Sequence, residues 1–292
     1  MVAGFFEGFE QRRVVTRGGE INLRFGGSGE PLVLLHGYPQ THFMWHGLAP
    51  KLAERFTVIC PDLRGYGDSA KPPGGGNHGL YAKREMAADV VEVMDELGFG
   101  RFNIAGHDRG ARVTHRLCLD HPHRVRRACV IDIAPTLTMY RRTDMAFATA
   151  YFHWFYLIQP YDLPERMIGA DPAGWLRQCL GAWGKKGMRV FAPEALAEYE
   201  RCFDPAGIHA TCEDYRAAAG IDLEHDEADA DRRIDCPLLV LWGDRGVVGR
   251  SYDVLAVWRE KAEKVEGRAL PSGHFVPEEA TAETLAALQD FF

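Results

Sequence analysis

The sequence predicts an α/β fold with a mostly parallel central sheet and an inserted helical cap. Short, continuously apolar runs recur along the chain, as in PLVLLHG at 31–37, and such runs are typical of strands buried on both faces of a sheet. Segments with helical spacing separate them, which is the alternation that produces parallel sheets. From 137 to 231 an aromatic-rich, helix-like stretch replaces this alternation. We therefore predict a core domain formed by 1–136 and 232–292, with a helical cap at 137–231.

The predicted strands are short and closely spaced in the first third of the chain. Two of them, 12–17 and 21–25, flank a Gly-Gly turn at 18–19. The others are apolar runs, and they lie at 31–37, 56–63, 101–108, 128–135, 236–244 and within 265–274. Because helical segments separate most of these runs, we expect mainly parallel pairing.

Helices are predicted where apolar residues recur every three or four positions. The segment 83–98 has this spacing, and a second helix starts at about 109, directly after a strand. The closing helix follows Pro277, because proline suits the first turn of a helix.

Composition and charge narrow the class of function. The chain has 292 residues and a formal net charge of −7, so it lacks the broad basic surface that nucleic acids and anionic membranes require. Its longest apolar run, 146–158, is too short to span a bilayer. The first residues, 1–13, do not have the pattern of a secretion signal. We expect neither nucleic acid nor membrane as a partner.

Cysteine usage indicates a reducing compartment. The seven cysteines include no CxxC pair and no Cys/His cluster at zinc spacing, which predicts reduced thiols in the cytoplasm and no metal site. The glycine-rich loop KPPGGGNHG at 71–79 is not followed by GK[ST], so it is not a phosphate loop.

Asp108 lies where a strand is predicted to meet a helix, in the stretch NIAGHDRGAR at 103–112. Gly106, Gly110 and Ala111 place small residues at positions −2, +2 and +3 from it. A sharp strand-to-helix elbow needs such residues because its backbone segments come close together, and the elbow projects its central side chain at the top of the sheet. This pattern favours a nucleophilic aspartate, and a helix N-cap is the alternative interpretation.

A second motif, LLHGYP at 34–39, ends a predicted strand. Its loop can aim the backbone N–H of Tyr38 at the same cleft. Together with the backbone N–H of Arg109 it would form an oxyanion hole. A simple turn at the end of a strand is the alternative.

His274 in the motif SGHF is the candidate base. It follows the last predicted strand and lies after the candidate nucleophile in the chain, which is the order in which an elbow nucleophile and its histidine occur. Asp132, in VIDIAP, and Asp244, after LLVLWG, are the candidates for the acid that orients it. Asp132 lies in an apolar strand, and a buried aspartate there needs a partner such as the histidine. Asp244 lies two residues before the usual position of the triad acid, which Gly246 occupies in this chain. We favour Asp132.

Together, HGYP, GHDRGAR, the helical cap and the terminal SGHF resemble the α/β-hydrolase superfamily and, more narrowly, the fluoroacetate (haloacetate) dehalogenases. The resemblance covers nearly the whole chain. It implies a homodimer and a reaction without metal or organic cofactor. Tyr38 is a visible difference, because many relatives have phenylalanine there. We expect it to change the shape of the pocket but not the backbone N–H.

Arg109 and Arg112 carry the narrower resemblance. Epoxide hydrolases and haloalkane dehalogenases typically have tryptophan directly after the aspartate, where this chain has a cation. Two guanidinium groups are well suited to bind a carboxylate, and the resemblance implies that they hold that of a haloacetate. Nearby cations also lower the pKa of a carboxyl such as Asp108. A salt bridge from Arg112 to Asp108 on a surface helix is the alternative.

The resemblance assigns the halide to three side chains of the cap. His153, Trp154 and Tyr215 would each donate one hydrogen bond to the departing halide. Imidazole N–H, indole N–H and phenol O–H can all point at one small anion. Aromatic packing between cap and core is the alternative for His153 and Trp154.

The implied reaction is hydrolytic dehalogenation of a short 2-halocarboxylate. Asp108 would displace the halide and form an ester, which water activated by His274 would then hydrolyse. The alternative is an epoxide hydrolase with the same Asp-His-Asp triad, with Tyr215 and one of Tyr151, Tyr156 or Tyr161 as acids. A non-catalytic ligand-binding scaffold would not need a nucleophile, a base and an acid together, and the chain has no GxSxG motif of a serine esterase.

Overall fold

The computed structural model describes residues 5–292, which form an eight-stranded sheet. Residues 1–4, which belong both to the predicted core domain and to the N-terminal stretch 1–13, lie outside the described part. The strands are β1 Phe9–Thr16, β2 Gly19–Gly27, β3 Glu30–Leu35, β4 Phe56–Pro61, β5 Phe102–His107, β6 Val125–Ile131, β7 Leu238–Gly243 and β8 Val265–Leu270. Their order is β1-β2-β4-β3-β5-β6-β7-β8.

The pairing confirms the predicted fold class. β1 and β2 pair antiparallel, as do β2 and β4. All the other neighbours in the sheet, from the β4–β3 pair to the β7–β8 pair, are parallel. The central strands β4 and β5 are buried at every position, which explains why their sequences are mostly apolar. The edge strand β8 has exposed and half-buried positions, and its sequence signal is correspondingly weak.

The helices of the core surround this sheet. They are α1 Ala49–Leu52, α2 Lys83–Glu96, α3 Arg109–Asp120, α12 Val247–Ser251, α13 Val254–Arg259, α14 Val276–Glu279 and α15 Thr281–Phe291 (α4–α11 lie between β6 and β7). Short 3₁₀ helices span His42–Trp45, Gly79–Tyr81, Pro122–Arg124 and Met188–Val190. In α2, the apolar positions used for the prediction, among them Met86, Val90 and Met94, are buried.

The chain between β6 and β7 is helical. Its helices are α4 Thr136–Arg141, α5 Met145–Ala150, α6 His153–Tyr156, α7 Leu163–Gly169, α8 Pro172–Trp183, α9 Pro193–Cys202, α10 Pro205–Ala219 and α11 Ile221–Ala228. The start of α10 is well defined because the side chain of Asp204 accepts a hydrogen bond from the backbone N–H of Gly207, and Pro205 occupies the first turn. This helix is buried along most of its length and carries Asp214 and Tyr215.

Two features bear on the compartment predictions. All seven cysteines lie within the described residues, where they are buried and unpaired. Among the helices of residues 5–292, none combines the length and the apolar character that crossing a membrane requires.

Candidate active site

Asp108 occupies the predicted elbow between β5 and α3. Its φ of 47° and ψ of −114° lie outside the regions that non-glycine residues usually adopt, so the turn is strained. A Cβ atom on Gly106 would overlap the carbonyl of Gly110, and one on Gly110 would overlap the carbonyl of His36. The small residues in the motif are therefore required by close backbone packing. The Asp108 side chain makes no capping hydrogen bond to α3, which disfavours the N-cap interpretation.

The two oxygens of the Asp108 carboxylate have different surroundings. Oδ1 accepts a hydrogen bond of 2.9 Å from the backbone N–H of Tyr38. Oδ2 lies 3.8 Å from Nε2 of His274. A Cβ atom on Gly37 would overlap Asp108, which explains the glycine in the HGYP motif. Oδ1 is thus held by the backbone, whereas Oδ2 faces His274.

His274 contacts Asp132 and not Asp244. Its Nδ1 lies 2.6 Å from Oδ2 of Asp132, whose other oxygen accepts a hydrogen bond of 3.0 Å from the backbone N–H of Gly243. We assign the proton to Nδ1 from this contact, which leaves Nε2 as the basic nitrogen facing Asp108. The side chain of Asp244 is half exposed and lies 3.4 Å from Arg245.

The charges around these groups shift their pKa values in opposite directions. Burial raises the pKa of Asp108, but the charges of His274 and three other neighbouring side chains outweigh it and lower the pKa to about 2. Burial lowers the pKa of His274, but its hydrogen bond to Asp132 and the charges of Asp132 and Asp108 outweigh that effect and raise it. Asp108 is therefore ionised at neutral pH.

Arg109 is fully buried, and most of its guanidinium group is bound by an aspartate of α10. Its Nε and Nη2 donate hydrogen bonds of 2.8 Å and 2.7 Å to the two carboxylate oxygens of Asp214. The group also stacks on the ring of Tyr215, with 4.3 Å between Cζ and the ring centroid. Within residues 5–292, Nη1 of Arg109 has no partner. The sequence predicted a site role for Arg109, but it did not predict the contact with Asp214.

Arg112 is also buried, with only 3% of the residue exposed, so the surface salt bridge considered above is wrong. Its Nη1 donates to Oγ1 of Thr136 at 2.9 Å and to the carbonyl of Ala134 at 3.3 Å. Its Cζ lies 4.7 Å from the ring centroid of Trp154. No carboxylate in the described chain forms a salt bridge with Arg112, and its Nε is buried without a partner.

The three predicted halide donors lie in one aromatic cluster. The ring centroid of Tyr215 is 5.7 Å from that of His153 and 6.5 Å from that of Trp154. Nδ1 of His153 is buried and has no partner in the described chain. Trp183, which the sequence analysis missed, packs on His153 with 4.1 Å between ring centroids.

Two tyrosines complete the surroundings of the triad. The ring of Tyr38 lies 5.4 Å from that of Tyr215, and its hydroxyl accepts a hydrogen bond of 2.6 Å from Nε1 of Trp175. The hydroxyl of Tyr151 lies 3.5 Å from Nδ1 of His274. Neither contact could be read from the sequence, because each one joins the core to the helical segment.

One group of possible metal ligands occurs elsewhere on the described helices. Ligand atoms of Glu165, His209 and Glu213 lie within 4.8 Å of one another. Nη1 of Arg216 donates to both carboxylates, at 2.7 Å and 2.8 Å, and already balances much of their charge.

A strained elbow aspartate above a parallel sheet, with a histidine and a second aspartate behind it, defines the α/β-hydrolase class. The family model of the α/β-hydrolase fold matches residues 30–281, and the chain belongs to this family. It is 45% identical over 287 residues to a fluoroacetate dehalogenase of Burkholderia sp., covering 98% of this chain and 94% of the relative. The predicted resemblance to fluoroacetate dehalogenases is thereby confirmed.

Other relatives fit the same class. A soluble epoxide hydrolase of Corynebacterium sp. (strain C12) is 36% identical over 270 residues, covering 91% of each chain. The crystal structure of a Nostoc sp. PCC 7120 protein, described as an α/β hydrolase, is 61% identical, covers 98% of both chains and superposes with a TM-score of 0.97.

Proposed function

We propose that this enzyme hydrolyses haloacetates such as fluoroacetate and chloroacetate to glycolate and halide. The observation that carries the proposal is the pair of buried guanidinium groups beside a buried, ionised nucleophile. Among residues 5–292, each guanidinium keeps one nitrogen without a protein partner. A neutral substrate would leave these donors unsatisfied, and a small carboxylate would satisfy them. The similarity to the Burkholderia fluoroacetate dehalogenase supports this substrate class.

The first step is attack by Oδ2 of Asp108 on the carbon that bears the halogen. The Oδ2–C bond forms as the carbon–halogen bond breaks, and the halide leaves with the bonding electrons. Arg109 and Arg112 bind the substrate carboxylate, whose charge would otherwise repel Asp108 across a medium of low dielectric constant. Oδ1, held by the N–H of Tyr38, becomes the carbonyl oxygen of the ester.

The halide leaves toward His153, Trp154 and Tyr215. Charge develops on the halogen only as the bond breaks, so donors placed there stabilise the transition state more than the bound substrate. The aromatic contacts of the cluster hold the rings in place without using up the donors, as the free Nδ1 of His153 illustrates. Fluoride, which accepts the strongest hydrogen bonds of the halides, gains most from this arrangement.

The second step hydrolyses the ester. Nε2 of His274 takes a proton from water, and the hydroxide attacks the carbonyl carbon of the Asp108 ester. The backbone N–H groups of Tyr38 and Arg109 stabilise the charge on Oδ1. The ester bond then breaks as Oδ2 takes the proton from Nε2 of His274, so glycolate leaves with Oδ2 as its hydroxyl oxygen. Asp108 regains an oxygen from water and loses the remaining proton to solvent. Asp132 stabilises the positively charged form of His274.

An epoxide hydrolase is the second candidate. Tyr151 approaches His274, and Tyr215 packs on Arg109, the residue next to Asp108, so either hydroxyl could protonate an epoxide oxygen. The Corynebacterium relative is an epoxide hydrolase. The deciding experiment measures halide release from fluoroacetate and chloroacetate beside diol formation from styrene oxide. Halide release supports the dehalogenase, whereas diol without halide would establish the epoxide hydrolase.

The proposal extends to the organisation of the enzyme. We propose a cytoplasmic homodimer, with 137–231 as the cap domain and no cofactor, on the basis of the resemblance stated above. Light scattering coupled to size-exclusion chromatography tests the oligomeric state, and a mass of one chain would contradict the homodimer.

The pH dependence should differ between the two steps. Ester hydrolysis needs His274 neutral, so we expect steady-state turnover to fall as the pH drops through the pKa of His274 in the ester; in the free enzyme this pKa is raised by Asp132 and Asp108. Neutralisation of Asp108 in the ester lowers this pKa again, which favours the base form when it is needed. Halide release in a single turnover needs only ionised Asp108, with its pKa of about 2, and should persist to much lower pH. Identical profiles for both measurements would contradict these roles.

Arg112→Leu should mainly weaken substrate binding. The change removes the cation that has no carboxylate partner, and we expect KM for chloroacetate to rise roughly 10- to 100-fold, as for loss of a charged hydrogen bond. Chloroacetamide, which lacks the carboxylate, serves as the control substrate, and its slower turnover should change little. An unchanged KM for chloroacetate would remove Arg112 from the binding site.

A further inference from the structure

Asp214 of α10 is fully buried and receives hydrogen bonds from three side chains of the core. Arg109 donates from Nε and Nη2 at 2.8 Å and 2.7 Å, and the hydroxyl of Tyr66 donates at 2.6 Å. Lys83 forms a salt bridge with the same carboxylate. Nη2 of Arg109 also donates to the backbone carbonyl of Asp214 at 3.0 Å. Burial raises the pKa of Asp214, but Arg109 and Lys83 lower it well below its usual range, so the carboxylate is ionised.

This contact makes the two active-site arginines electrostatically different. The charge of Arg109 is compensated by Asp214, whereas Arg112 contacts the neutral oxygens of Thr136 and Ala134. Arg112 therefore supplies the uncompensated positive charge for a substrate anion. Arg109 offers that anion a single donor, Nη1, in a direction that its bonds to Asp214 determine.

A second carboxylate, that of the proposed nucleophile, lies next to Arg109 in the chain. Asp108 is the residue directly before Arg109 and is itself a buried, ionised carboxylate. A guanidinium group without a partner at this depth would gain most by pairing with such a carboxylate. That pairing would place hydrogen bonds on the attacking oxygen and reduce its nucleophilicity.

We propose that Asp214 is a positioning residue that holds Arg109 away from Asp108, so that Oδ2 stays free to attack and Nη1 faces the substrate. The proposal rests on the function proposed above and assigns to the helical segment a role in activating the nucleophile. It implies a specific kinetic signature. Loss of Asp214 should slow formation of the ester, but hydrolysis should be spared, because the esterified Asp108 is neutral and no longer attracts Arg109.

The test measures both steps by rapid quench with chloroacetate. Asp214→Asn should lower the rate of the first chloride release roughly 10- to 100-fold, the effect of one charged hydrogen bond on the attacking group. The decay of the isolated ester should stay within about twofold of wild type. Lys83→Gln is the matched control, because it removes a different cation from Asp214 and leaves Arg109 bound. Its first chloride release should stay within about twofold of wild type.

A double-mutant cycle separates positioning from a merely structural role. If Asp214 acts through Arg109, then Arg109→Gln and the double variant Arg109→Gln/Asp214→Asn should release chloride at equal rates in the first turnover. A further fall in the double variant, or equal slowing of both steps in Asp214→Asn, would overturn the proposal. If Asp214→Asn does not fold, the comparison within the Arg109→Gln background remains, because removing both members of a buried ion pair is better tolerated than removing one.

The proposed function can fail separately from this inference. Wild-type enzyme without halide release would refute the dehalogenase function alone. The same cycle can then be read with styrene oxide, because its opening by Asp108 also forms an ester. A slower first turnover in Asp214→Asn that disappears in the Arg109→Gln background supports the positioning role, and an additive cycle overturns it.

Discussion

Replacing Asp108 by alanine is expected to abolish halide release, including the first turnover. The described structure places no second carboxylate in the position of Oδ2, which faces Nε2 of His274 while Oδ1 is held by the N–H of Tyr38. Water cannot replace it, because the mechanism needs an attacking oxygen that is already ionised and desolvated. The loss should reach about 10⁴-fold or more, as for other covalent nucleophiles. Rapid-quench halide assays with fluoroacetate and chloroacetate measure it.

The matched control for this variant is Asp244→Ala. It makes the same chemical change at a half-exposed carboxylate that lies beside Arg245 instead of His274. We expect near wild-type turnover from it, and circular dichroism should show that both variants are folded. Halide release by Asp108→Ala at more than a small fraction of the wild-type rate would assign the nucleophile to another residue. A large loss in Asp244→Ala would reopen the choice between Asp132 and Asp244.

The fold was predictable because its signals are local. β3, β4 and β5 are buried on both faces over nearly their whole length, so their sequences are mostly apolar and can be recognised without any tertiary information. The elbow was recognisable for a similar reason, since Gly106 and Gly110 are dictated by backbone contacts within one strand–turn–helix unit and with the neighbouring strand. The strand predicted to end at 108 ends at His107, because Asp108 adopts the strained elbow conformation.

The site was predictable only in part because its remaining contacts are long-range. Asp132 could be favoured from the sequence because a buried aspartate at the end of a strand needs a partner, and His274 lies 2.6 Å from it. Asp214 gave no such signal, since its partner Arg109 lies 105 positions away and the contact depends on how α10 packs against the elbow. Trp183 was not predicted either, because its contacts with His153 and His274 also depend on tertiary packing.

In the proposed mechanism, the arrangement of charges explains how the active site can hold the carboxylates of Asp108 and of the substrate at once. Before substrate binds, the compensated Arg109 and the uncompensated Arg112 lie near an ionised Asp108. The substrate anion then finds one free charge and two free nitrogen donors. Alkylation of Asp108 removes a negative charge as the halide gains one, so the total charge of the chamber stays constant through the step. Preorganised donors can therefore stabilise the transition state without large rearrangement.

The second large effect is expected for His274→Asn, which should release about one halide per active site and then stop. Alkylation needs only Asp108, the arginines and the halide donors, so the first turnover should remain within about tenfold of the wild-type rate. Hydrolysis loses its base, and steady-state turnover should fall about 10²- to 10⁴-fold. Intact-mass spectrometry should show the carboxymethyl ester, and peptide mapping should place it on Asp108.

His123→Asn, at an exposed histidine, is the control and should turn over normally. Normal turnover by His274→Asn would remove this histidine from the mechanism, and loss of the first halide as well would mean that it acts already in the attack by Asp108.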